Sequence, residues 1–90
     1  MKAYAISYDL DRPGQNYTRL IARLQQHGAK RILMSQWALK TTWSAIELRN
    51  DLQANGGIDG NDRLVITEVN SNWASYNLLL SGKEFEQIAA

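Results

Sequence analysis

Residues 3–9 alternate in polarity. Tyr4, Ile6 and Tyr8 fall on one side of an extended chain, and Ala3, Ala5, Ser7 and Asp9 fall on the other. A period of two carried by aromatic and β-branched residues predicts a strand. It ends at the breaker cluster Asp11-Arg12-Pro13-Gly14. From Tyr17 the period lengthens. Tyr17, Leu20, Ile21 and Leu24 form one stripe at helical spacing, with Arg19 and Arg23 on another face. Gly28 suits the position just past the helix, and His27 falls in the last turn, where a cation favours the dipole.

Between Lys30 and Lys40, the apolar groups Ile32-Leu33-Met34 and Trp37-Ala38-Leu39 flank Ser35-Gln36. Two short strands, or one long bent strand, fit this stretch. Ser44-Ala45-Ile46-Glu47 then reads as a capping box, with Trp43 and Leu48 at the two positions of a hydrophobic staple. The helix it opens carries Ala45, Leu48 and Leu52 and stops at Asn55-Gly56-Gly57. Asp59-Gly60-Asn61-Asp62 begins like a calcium loop, but Leu64 occupies the sixth position, where that loop needs glycine. It reads as a turn. Residues 63–69 are rich in β-branched side chains (Val65, Ile66, Thr67, Val69) and predict a strand. Asn70-Ser71-Asn72 is a turn, residues 73–80 suit a fifth strand, and Ser81 to Glu84 suit the cap of a short helix bearing Phe85 and Ile88.

The order is strand, helix, strand, strand, helix, strand, with a C-terminal strand or short helix added. This is the α+β, ferredoxin-like βαββαβ plan: one antiparallel sheet with two helices on one face, as a single domain over residues 1–90. Such a sheet has a second face. Ile32, Leu33, Met34, Trp37, Leu39, Val65 and Ile66 make its strands too apolar to leave that face in water. A dimer packed through the sheets, or extended at their edges, is the expected cover.

Composition narrows the chemistry. Ninety residues give room for one core. The absence of cysteine removes disulfides, thiol nucleophiles and cysteine metal sites, and His27, alone, makes no histidine metal centre. No stretch approaches the roughly 18 apolar residues of a membrane span, and nothing near Met1 reads as a signal peptide, so a cytoplasmic protein is expected. The net charge of +1 is split unevenly. Residues 1–45 hold seven of the ten basic groups and two of the nine acidic ones, a balance of +5, against −4 for residues 46–90.

That basic half offers Arg12, Arg19, Arg23, Lys30 and Arg31 as a surface for phosphates, or as ordinary solubilising charge. Asp9 closes the first strand, with Asp11 two residues on. A strand-end carboxylate can hold Mg²⁺ together with waters and phosphate oxygens, and two copies related by a two-fold axis would supply a pair. The same residues also suit a turn into Pro13-Gly14. Ser35, at the kink, can donate to a phosphate or position a water, but it has no nucleophile elbow and no histidine on its own element. It also suits a plain bend. Trp37, Trp43 and Trp73 can stack bases or anchor a core.

Several segments together resemble a known family. They are a first strand ending Tyr8-Asp9, a helix ending Gln26-His27-Gly28, the run Arg31-Ile32-Leu33-Met34-Ser35-Gln36-Trp37, and the strand Asp62-Arg63-Leu64-Val65-Ile66. The family is the smaller of the two universal CRISPR adaptation proteins, with its relatives among the virulence-associated protein D toxins. The resemblance covers about residues 1–69 and is made of short pieces. It implies a homodimer on a ferredoxin-like core, with residues 70–90 at the dimer interface and adding to the partner's sheet. It implies that Asp9 matches the aspartate proposed to bind Mg²⁺ across the dimer axis, with Arg31 and Ser35 at polar positions nearby. Some members are metal-dependent nucleases and others non-catalytic nucleic-acid clamps. The expectation is therefore a dimeric, Mg²⁺-dependent endonuclease acting on RNA or DNA. Its site would comprise Asp9 at the metal, Asp9 and Ser35 at the reacting phosphate, and Arg12 and Arg31 holding substrate. The alternative is a non-catalytic module of the same fold that binds nucleic acid or another protein of an adaptation or toxin system.

Overall fold

The computed structural model describes residues 1–11 and 17–89. Its elements are β1 (Lys2–Asp9), α1 (Tyr17–Gln26), β2 (Lys30–Leu33), β3 (Gln36–Thr41), α2 (Ala45–Asn55), β4 (Arg63–Glu68) and α3 (Gly82–Ala89). The four strands form one sheet in the order β2-β3-β1-β4. Every neighbouring pair is antiparallel. β3 therefore separates β1 from β2, and β1 separates β3 from β4. Each strand–helix–strand unit is split by a strand of the other, which is the expected βαββαβ arrangement.

The local signals act as their chemistry requires. The Ser44 hydroxyl accepts from the Glu47 amide and the Glu47 side chain accepts from the Ser44 amide, closing the capping box. Gly28 turns the chain out of α1 at φ +86°, a conformation a side chain would strain. At Gly56 a Cβ would lie 2.5 Å from the Leu52 carbonyl oxygen, so only glycine fits against the end of α2.

Alternation along β1 sorts its side chains into two layers. Tyr4, Ile6 and Tyr8, with Trp37 and Leu39 of β3, meet Leu20 and Leu24 of α1 and Leu48 and Leu52 of α2. All are buried, each contributing about 1.5–3 kcal/mol of transfer free energy. The aromatic residues keep their polar ends satisfied. Trp37 Nε1 donates to the Tyr8 hydroxyl at 3.1 Å, and the Tyr4 hydroxyl donates to the Trp43 carbonyl at 2.9 Å.

The second face holds the main departure from expectation. Residues 73–80 form no strand. They cross the sheet as an irregular segment, pinned where the Leu79 amide donates to the Ile32 carbonyl at 3.0 Å. α3, the short helix expected, follows. Phe85 packs with Ile32 and Ala38, and Val69, Trp73, Leu78, Leu80 and Ile88 close around them. Trp73 meets Phe85 edge-on, with ring centroids 4.6 Å apart. Much of the apolar cover expected from a second copy is thus supplied by the chain itself. The cover is incomplete: Ser7 and Asp9 at the end of β1, and Arg63, Val65 and Thr67 of β4, share this face outside that second core.

Candidate functional site

The end of β1 is positioned from three sides. β4 pairs Asp9 with Arg63, whose Nη1 donates to Asp9 Oδ2 at 3.3 Å. Both side chains are open to water, at 74% and 83% exposure, so the pair adds little stability. On the other side, the Tyr8 amide donates to the Ser35 carbonyl at 3.1 Å, which brings the β2–β3 turn alongside. Next to it, Gln36 Nε2 donates to Ser7 Oγ at 2.7 Å. From below, the Asp62 carboxylate accepts the Asp59 amide at 3.0 Å and the Asp11 amide at 2.8 Å, tying the turn before β4 to the residues after β1. Those bonds, the Asp59 N–H foremost, hold the Asp62 carboxyl below its ordinary value. A groove of about 260 Å³ opens here, lined by Ser7, Tyr8, Asp9, Arg63, Leu64 and Val65.

Asp9 and Ser35 therefore reach the same end of the sheet. Arg31 does not join them. It pairs with Trp37 across β2 and β3, and its guanidinium carbon lies 5.0 Å from the indole centroid, a cation–π contact. Trp37 belongs to the helix-side core, whereas alternation puts Asp9 on the opposite face, and β3 stands between their strands. Within one subunit, Arg31 and Asp9 cannot grip the same phosphate. Among the described residues, Arg31 Nε is buried there with no hydrogen-bond partner. Arg12 lies outside the described residues.

The rest of the expected basic surface is dispersed. Arg23 turns from solvent to Asp51 of α2, donating through Nε at 2.8 Å and Nη2 at 2.6 Å. Among the described residues no three His, Asp or Glu side chains gather as a metal cluster, so a subunit brings Asp9 to its groove as a single carboxylate. Trp37 and Trp73 serve as core anchors rather than base-stacking platforms.

One cluster went unread in the sequence. His27 Nε2 donates to Asp51 Oδ2 at 2.7 Å, and Asn55 Nδ2 donates to Asp51 Oδ1 at 2.9 Å. With Arg23, these groups hold the Asp51 carboxyl far below the usual carboxylate range, the Arg23 bond being the largest cause. Trp43 meets the His27 ring edge-on at 4.8 Å. The His27 amide donates to the Arg23 carbonyl at 3.2 Å, which sets His27, just past the end of α1, near Arg23, but their shared acceptor comes from α2, more than twenty residues on.

No family model, curated protein or solved structure matches the chain. Among the described residues no helix is long and apolar enough to cross a membrane.

Proposed function

We propose that the protein is a dimeric, Mg²⁺-dependent endonuclease of the small CRISPR-adaptation type, working in the cytoplasm on RNA or DNA. The observation that carries this reading is the exposed Asp9 carboxylate at a strand end, in an open groove beside Arg63 and the Ser35 turn. The donors gathered there are carboxylate and hydroxyl oxygens, which suit a hard cation that keeps part of its water shell. Asp9 would hold the ion, and the uncovered end of the second face leaves room for a second copy to bring its own Asp9. Bound there, such an ion would lower the pKa of a coordinated water toward a hydroxide nucleophile and would offset charge on the phosphate. Arg63 would then exchange Asp9 for a phosphate oxygen, and the exposed Ser35 hydroxyl would donate to another. Incubation of wild type and Asp9→Ala with RNA and with DNA, with Mg²⁺ and with chelator, tests the reading. Cleavage by wild type with Mg²⁺ alone is expected; equal activity in the two proteins, or none in either, overturns it.

The separation of Arg31 from Asp9 favours a second reading, a non-catalytic module that binds nucleic acid or a protein of an adaptation or toxin system. Here binding without cleavage is expected. Affinity that falls steeply with salt marks phosphate contacts, and a flat response marks a protein partner.

A further inference from the structure

The sheet has two edges, and the sequence treats them differently. β2, at one edge, has four residues, carries Lys30 and Arg31, and is broken by a bulge between Arg31 and Leu33. The Leu79 amide also caps its Ile32 carbonyl. Short length, cationic side chains and bulges are the usual means of keeping an edge from pairing. β4, at the other edge, has six residues, no proline, a single cationic side chain, Arg63, at its first position, and an unbroken register with β1. Among the described residues no strand pairs with its outer side.

The register shows which groups face outward. The Val69 amide donates to the Ala3 carbonyl at 2.8 Å, in line with the pairing of Tyr4 with Glu68. By antiparallel alternation, Arg63, Val65 and Thr67 spend their backbone groups on β1. Leu64, Ile66 and Glu68 direct theirs to the open edge. Apolar surface flanks that edge: Val65 is 56% exposed, Ile46 of α2 is 63% exposed, and both line a groove with Ala45, Arg49, Leu64 and Ile66.

We infer that the occupant of this edge is β4 of a second copy, paired antiparallel with Ile66 opposite Ile66 and Leu64 opposite Glu68. A two-fold axis normal to the sheet keeps helices on the same side in both copies, so opposed residues must share a face; Leu64, Ile66 and Glu68 do. This register uses every outward group of β4 in reciprocal hydrogen bonds. It also sets Glu68 of each copy beside Leu64 and Arg49 of the other, adding an opposite charge to the Lys2 that Glu68 already meets at 3.7 Å. The competing register, centred on Val65, puts Glu68 opposite Asp62, a like charge whose amide is already committed to the Asp59 carbonyl.

This surface is independent of the Asp9 reading. Strand spacing and rise keep the two Asp9 residues of an edge-paired dimer about 25 Å apart, so a shared ion requires the other, facing arrangement. The test is the mass in solution of the wild type, Arg49→Glu and Glu68→Arg, alone and as a mixture of the two variants, at tens of micromolar (~10⁻⁵ M), a range where modest self-affinity shows. Both side chains are exposed, so neither variant disturbs the core. Each variant alone places like charges together at both ends of the interface, whereas the mixed pair has complementary charges at both. The expected result is self-association of wild type, weakening on the order of tenfold or more in each variant, and restoration in the mixture. Wild type at the mass of a single chain, variants that associate as wild type does, or a mixture no better than its parts each overturns the inference. Wild type at four chains falling to two in each variant supports the edge together with the facing Asp9 pair. Two chains falling to one supports the edge and removes the facing pair.

Discussion

His27 donates from Nε2 to Asp51 Oδ2 across the α1–α2 interface at 2.7 Å, with both side chains less than a tenth exposed. Arg23 grips the same carboxylate with two bonds, so one anion joins the two helices. Its folded-state carboxyl lies far below the ordinary value of 3.8. For a depressed acid, the stabilisation is complete above the unfolded value and is lost as pH falls below it toward the folded one. Wild type should lose melting temperature as pH drops below about 4, and Asp51→Asn should lose less over the same range. At pH 7, Asp51→Asn should cost about 1–3 kcal/mol, because Arg23 and His27 keep weaker partners. Thermal melts from pH 7 to pH 2 measure both.

Phe85 anchors α3 on the second face. Phe85→Ala should destabilise by about 3–5 kcal/mol in urea unfolding, as large buried aromatic truncations do. The variant should also bind a hydrophobic dye, since Ile32, Ala38 and Trp73 lose their cover.

Tyr8→Phe removes the acceptor of Trp37 Nε1 inside the core. A buried donor left unpaired costs about 1–3 kcal/mol. Chemical unfolding followed by tryptophan fluorescence should show the loss, with a shifted native emission.

Asp9→Ala should leave the melting temperature near that of wild type, because both partners of the Asp9–Arg63 pair are exposed. Calorimetry on the variant used for cleavage assays checks this. Lost cleavage with an unchanged melt assigns Asp9 to the reaction rather than to the fold.

Much of this architecture was legible in the chain. The alternation of Tyr4, Ile6 and Tyr8 and the Ser44–Glu47 box are local signals, and each is realised where it is written. Residues 73–80 were not legible as a loop. Trp73, Leu78 and Leu80 look like strand residues, but their apolar groups are satisfied by lying over Phe85 and Ile32 rather than by pairing, and Asn77 takes φ 56°, outside any strand. At the candidate site, Asp9 could be placed by its strand end alone. Arg31 could not, because its distance from Asp9 depends on β3 entering between β1 and β2 and on the face its register selects.

β1, first in the chain, is an inner strand of the sheet, and its two neighbours come much later. Asp9 and the Arg63 it meets stand 54 positions apart. Closing so long a loop must precede the reward of pairing, so acquisition of the native state should be slow for so small a molecule. A nascent chain that has not yet extruded residue 63 would hold β1 with one ladder unmade, and that exposed ladder is where newly synthesised copies would be most prone to stick together.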